Sequence, residues 1–123
     1  MSVKNIAGKL GEQKACDFLK QSGYCIIHRN YKTRISEIDI IASDGDCLCF
    51  IEVKTRKDKS FGTGADAVNY AKKEKMIIGA NSYITYEKRF KKFRFDVVEV
   101  YGEVHESGFA VKEINIIKNA FEA

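Results

Sequence analysis

Proline is absent from the 123-residue sequence, and histidine occurs only twice, at His28 and His105. Without proline, no helix or strand is broken by a fixed φ and a missing N–H. No Gly/Ser-rich stretch, low-complexity segment or long repeat divides the chain either. The two histidines stand alone, with no Ser/His/Asp arrangement and no HNH-like spacing, and no role is assigned to them. The four cysteines, Cys16, Cys25, Cys47 and Cys49, contain no CxxC pair and so lack a zinc-site pattern. They read as reduced thiols serving as small apolar residues. No apolar run approaches the ~18 residues of a membrane helix. The start, MSVKNIAGKLGEQKACDF, lacks the apolar core of a signal peptide. A cytoplasmic protein with no membrane partner is expected.

What is present is a globular composition, 45% hydrophobic and 31% charged, at a length that suits a single domain spanning 1–123. The net charge of +4 is uneven. Residues 1–95 carry 19 Lys/Arg against 11 Asp/Glu, or +8, while residues 96–123 carry 2 against 6, or −4. A basic body with an acidic end favours a polyanionic partner.

Apolar residues at Ala7, Leu10, Gly11, Ala15, Phe18 and Leu19 recur at helical spacing, which predicts a helix over Ile6–Ser22 with Gly23 ending it. Strands are expected over Tyr24–Tyr31, Glu37–Ser43 and Cys47–Thr55, with Asp44-Gly45 as a hairpin turn. A loop over Lys57–Gly64 precedes a second helix from Ala65 to about Tyr86. Phe93–Tyr101 and Phe109–Ile117 read as the last strands, with Gly102 and Gly108 bracketing a turn. The order makes this an α/β chain with helices against a mixed sheet.

The chemistry concentrates in Ser36–Arg56. Alternate residues of a strand share a face, so Glu37 pairs with Asp39 on one side and Glu52 with Lys54. A two-residue turn at Asp44-Gly45 sets Asp39 opposite Phe50 and diagonal to Glu52, with Glu37 opposite Glu52. Carboxylates crowded on one face repel unless a positive charge joins them. Mg²⁺, with Mn²⁺ as a substitute, suits such oxygen donors. Lys54 stands beside them, placed to hold a phosphate or orient water. The competing reading is a solvated hairpin face of cross-paired ions. Against it, Cys47, Cys49, Ile51 and Val53 make the opposite face of the third strand apolar, and Phe50 shares the charged face. That is the pattern of a central strand.

The run Asp39-x(12)-Glu52-Val53-Lys54 resembles the PD-(D/E)xK nuclease superfamily. More closely, the chain resembles the YraN-type family of predicted endonucleases. The matching residues are Gly11-Glu12, Gly23-Tyr24, Arg29-Asn30-Tyr31, Glu37-Ile38-Asp39-Ile40-Ile41, Phe50 to Arg56, Phe61-Gly62, Ala67-Val68, Lys72 and Arg94 to Val98. That family is similar in layout to archaeal Holliday junction resolvases. The resemblance implies a restriction-endonuclease-like three-layer core with a mixed central sheet of about five strands flanked by helices. It also implies a glutamate, Glu12, contributed by the first helix. Asp39, Glu52 and the Val53 carbonyl are then the expected Mg²⁺ ligands, Glu37 a supporting or alternative ligand, and Lys54 the catalytic amine. Ser36 stands where the family has Gly before Glu37, and Gly64 where it often has Pro.

Other cations are weighed with it. Lys72 shares a helical stripe with Val68, Met76, Ala80 and Tyr83, either snorkelling to water or holding a phosphate. Lys88, Arg89, Lys91 and Lys92, interleaved with Phe90 and Phe93 and followed by Arg94, read as a nucleic-acid contact or as a solvated edge. Arg56 and Lys57, with Lys59, are the other candidate contacts, beside the carboxylates. The expected activity is Mg²⁺-dependent endonucleolytic hydrolysis of DNA, including branched or repair-intermediate DNA. The expected partners are DNA and a second copy of the chain in a homodimer. The rival is a non-catalytic nucleic-acid-binding adaptor on the same fold.

Overall fold

A computed structural model describes the backbone of residues 3–58 and 68–123 and the side chains of 6–58 and 68–123. Helix α1 (Val3–Gln21) leads into strands β1 (Cys25–Lys32), β2 (Glu37–Asp44) and β3 (Cys47–Arg56). Helix α2 (Tyr70–Tyr86) precedes strands β4 (Lys92–His105) and β5 (Gly108–Phe121). The strands form one mixed sheet in the order β1-β2-β3-β4-β5, in which only β3 and β4 run parallel. The crossover between parallel neighbours contains α2, as a parallel connection requires.

The two helices cover opposite faces of the sheet. Ala15, Cys16 and Leu19 of α1 pack on Ile40, Ala42, Cys49, Ile51, Val98 and Val100. Met76 and Ala80 of α2 pack on Ile38, Ile41, Leu48, Phe50, Phe95 and Val97. The alternation of Cys49 and Ile51 with Leu48 and Phe50 thus feeds both cores from β3, the middle strand. Full burial of each such aliphatic or aromatic side chain contributes roughly 1.5–3 kcal/mol. The expected mixed sheet of five strands between helices is the fold observed.

Three local expectations are corrected. The β2–β3 turn lies one residue later than expected, with Asp44 paired to Cys47 and Gly45-Asp46 as the two turn residues. Gly45, at φ +61°, takes the left-handed position that such turns require. Helix α2 begins at Tyr70, not Ala65, because the Asn69 side chain caps it by accepting from the Lys72 N–H at 2.9 Å. Gly102 lies within β4 and not at a turn. A Cβ there meets the Ala110 carbonyl of β5, so the two strands approach too closely for a side chain. Phe61-Gly62, Gly64, Ala65 and Ala67, and with them most of the expected loop, lie outside the described residues.

Candidate metal and phosphate site

The site forms where β2 and β3 part. Their ladder runs from Asp44↔Cys47 to Ile40↔Ile51. One further step in this register sets Asp39 directly opposite Glu52, and no longer diagonal to it. The one-residue shift of the turn preserves parity, so both still belong to one face. Beyond Ile40, Asp39 replaces backbone with side chain: the Val53 N–H donates to Asp39 Oδ2 at 2.8 Å. A strand residue's N–H and C=O point to the same edge, so the Val53 carbonyl faces this gap as well.

Regular alternation fails here. Ile38 packs under α2 and Ile40 under α1, although residues two apart in a regular strand share a face. Strand β2 therefore rotates at Asp39. On the neighbouring β1, Asn30 lies between the pairs Arg29↔Ile40 and Tyr31↔Ile38 and holds φ at +55°. Asn tolerates this left-handed geometry better than most side chains, and such strain gathers at functional sites.

The rotation brings both helix layers to one point. Glu12 and Arg29 approach from the α1 side and Lys72 from the α2 side. Arg29 donates through Nη1 to Gln13 Oε1 at 2.9 Å and places Nη2 3.5 Å from Glu12 Oε1. Lys72 Nζ donates to the Glu37 carbonyl at 3.1 Å and stands 3.3 Å from Glu52 Oε2. Lys54 Nζ lies 3.7 Å from Glu52 Oε1. Glu37 itself points to solvent.

Burial, and then the negative charge of Asp39, pushes Glu52 up to about 7, with Lys72 and Lys54 only partly offsetting them. Asp39 is raised chiefly by burial, against the Val53 N–H and Lys72. Glu12 is raised by burial and then by Asp39, with Arg29 opposing. Glu52 is 5% exposed, and its Oε2 is buried with no hydrogen bond. Lys72 reaches ion-pair distance of that atom without lying in a hydrogen-bonding direction.

Around this centre opens a cleft of about 1230 Å³, lined by Asp39, Glu52 and Val53 with Lys9, Arg29, Lys32, Arg56 and Lys57 among others. Two facing carboxylates, one with a buried oxygen lacking a donor, fit a hard divalent cation that keeps most of its waters. Among the described residues no three His, Cys, Asp or Glu side chains form a ready cage. Mg²⁺ does not need one, since one or two carboxylates with water and phosphate suffice.

The structure thus gathers Glu12, Asp39, Glu52, Val53, Lys54 and Lys72, with Arg56 and Lys57 on the cleft wall. It does not bring Lys88, Arg89, Lys91 and Lys92 there. Lys92 pairs with Cys47, five residues along β3 from Glu52, or about 16 Å. Arg89 chelates Glu87 at 2.6 and 2.9 Å, and Lys92 meets Asp46 at 3.0 Å. Arg94 is bound to Asp96 and Asp44, each within 2.9 Å, which makes it structural. Lys59 lies outside the described residues. Reading the sequence overlooked Arg29, Lys9 and Lys32. Arg29 and Glu12 are 17 positions apart and meet only through the packing of α1 on β1. Its place in the matched run Arg29-Asn30-Tyr31 was the one signal in the sequence.

The sequence pattern of an uncharacterised protein family, UPF0102, matches residues 11–100. A UPF0102 protein of Clostridium kluyveri is 44% identical over 116 residues, 94% of this chain and 93% of the relative. One from Caldicellulosiruptor saccharolyticus is 42% identical over 119 residues, 96% and 98% of the two chains. One from Dictyoglomus thermophilum reaches 48% over 101 residues, 81% and 85%.

Proposed function

The chain belongs to the uncharacterised protein family UPF0102, and we propose that it is a metal-dependent nuclease of the PD-(D/E)xK type that hydrolyses DNA phosphodiester bonds. The observation that supports this best is the buried Glu52 beside the half-buried Asp39 in the gap between β2 and β3, with Lys54 and Lys72 at its edge. Drawing two facing carboxylates largely out of water is costly, and a purely structural pair is better served by a full set of hydrogen bonds than by an Oε2 that has an amine at ion-pair distance and no hydrogen bond.

In this reading Asp39, Glu52 and the Val53 carbonyl hold Mg²⁺, and Mn²⁺ substitutes for it. When bound, the ion polarises a phosphoryl oxygen and lowers the pKa of a coordinated water. Asp39 stays fixed by the Val53 N–H, so its second oxygen keeps a constant aim. Lys54 orients the attacking water and offsets the charge that grows on the pentavalent phosphorus. Arg29, braced by Gln13 and Glu12, presents its remaining donors to the cleft for a phosphate oxygen. The cations of the cleft wall bind the DNA backbone without reading bases.

The test is cleavage of linear, flapped and branched DNA with Mg²⁺ or Mn²⁺ by the wild type and by Lys54→Ala. Cleavage by the wild type, lost in a folded Lys54→Ala, is the expected result. Equal cleavage by both removes Lys54 from the chemistry. Binding of DNA by a wild type that cleaves none of these substrates converts the reading to a non-catalytic adaptor.

A further inference from the structure

Each carboxylate of the centre can be matched with the protein's own cations. Glu12 has Arg29 at 3.5 Å. Glu52 has two amines, Lys72 at 3.3 Å from Oε2 and Lys54 at 3.7 Å from Oε1. Asp39 is held by a neutral donor, the Val53 N–H, with Lys72 acting on it at longer range. Lys72 is placed as an ion would be. Its ammonium donates to the Glu37 carbonyl and stands at ion-pair distance, without a hydrogen bond, from the buried Oε2 of Glu52, two oxygens from separate strands. It arrives from the first turn of α2, where the Asn69 cap fixes the backbone at Lys72 N. The place beside these oxygens that a second divalent ion needs on this flank therefore holds an ammonium charge, and on the other flank Glu12 faces a guanidinium.

We propose that Lys72 serves as a built-in second cation, so that the centre takes a single divalent ion, which Asp39 and Glu52 would hold, where a site without this amine takes two. The inference rests on the metal-dependent reading above and specifies its stoichiometry. Charge supports it. With Glu12, Asp39 and Glu52 ionised and Arg29, Lys54 and Lys72 protonated, these six side chains sum to zero, and the Glu37 carboxylate is exposed and screened by solvent. One divalent ion then matches the two negative charges of a phosphodiester attacked by hydroxide. Two ions leave an excess of two positive charges in a poorly solvated gap, where uncompensated charge is expensive. The geometry agrees, since two carboxylates and one carbonyl supply donors for one water-rich ion and not for two.

Counting Mn²⁺ on the full-length protein tests this directly, by electron paramagnetic resonance of the free ion and by calorimetry, with no DNA and no turnover. The wild type is expected to bind one Mn²⁺ per chain. Lys72→Met keeps an unbranched stem of similar length and removes the charge. It is expected to bind Mn²⁺ about tenfold more tightly, since a like charge a few ångströms from the ion is gone, or to accept a second ion. Lys72→Arg keeps the charge and is expected to match the wild type, which guards against a variant altered only in its fold. Two ions on the wild type overturn the inference and leave the nuclease reading intact. Unchanged or weaker binding by Lys72→Met, folded by circular dichroism, also overturns it. A wild type that binds no divalent ion overturns the metal-dependent reading and the inference with it.

Discussion

Glu52 concentrates the physics of the site in one side chain. Its carboxyl is pushed from 4.5 up to about 7 by burial and by Asp39, so the fold prefers it protonated. For an acid whose folded pKa exceeds its unfolded one, the contribution to stability is complete below pH 4.5 and is lost as pH rises through about 7. Asp39 is raised too and acts in the same direction. In EDTA the melting temperature of the wild type should therefore fall between pH 5 and pH 8 more than that of Glu52→Gln, which cannot ionise. Superimposable profiles from the two proteins contradict the assignment. At pH 8, Mg²⁺ should recover stability in the wild type, because ligand that binds only the folded state raises its population. Calorimetry extends the argument to the partner residue: Asp39→Ala should lose most Mg²⁺ affinity, and equal affinity in both proteins removes Asp39 from the site. Asp96 shows the opposite way to bury a carboxylate. Fully inaccessible, it accepts from Arg94, the Tyr24 hydroxyl and the Asn119 N–H, so nothing is left for a ligand.

Among the elements, the helices come closest to the sheet at glycines. A Cβ at Gly11 collides with Thr55 of β3, and one at Gly79 with Ser36, whose hydroxyl donates to the Lys75 carbonyl at 2.7 Å. One turn before Gly11, Gly8 faces open space. Two substitutions of the same chemistry should then differ in sign. Gly8→Ala should stabilise by about 0.5–1 kcal/mol through helix propensity. Gly11→Ala should destabilise by about 1–3 kcal/mol through overpacking. Urea unfolding of both separates the effects, and a stabilised Gly11→Ala means that α1 stands off β3. Much at this scale was legible in the sequence. Periodicity identified both helices, and the apolar runs through Cys47–Thr55 placed β3 at the centre. Hairpin parity put Asp39 and Glu52 on one face although the turn itself moved by a residue. The rotation at Asp39 was not legible, because alternation is a local rule and this break depends on Asn30 in the neighbouring strand. The start of α2 was misplaced because Val68 continues the apolar stripe, whereas the Asn69 cap starts the helix only after it.

For the molecule as a whole, composition announced a basic body but could not say which cations face the same ligand. Sequence grouped Lys88, Arg89, Lys91 and Lys92 by adjacency. The fold groups Lys9, Arg29, Lys32, Arg56 and Lys57 by position around the carboxylates, and sets the first group at the far end of β3. Adjacent charges at the far end are also partly spent, with Arg89 on Glu87 and Lys92 on Asp46. In the cleft, Lys9 and Lys32 are exposed and form no ion pair with the described residues. A cation that neutralises one DNA phosphate releases a condensed counterion, so the logarithm of affinity falls with the logarithm of salt by about 0.9 per contact on duplex. Lys9→Ala with Lys32→Ala should therefore flatten that slope by roughly 1–2, measured with Asp39→Asn as background so that no strand is cut. Lys91→Ala with Lys92→Ala should leave it unchanged on a duplex short enough to cover only the cleft. A slope that responds to Lys91 and Lys92 and ignores Lys9 and Lys32 moves the DNA to the opposite end of the sheet, about 16 Å from the carboxylates. That is too far for a phosphate held there to be the one attacked beside Lys54, so this titration also decides whether the backbone track and the Asp39/Glu52 centre belong to one site.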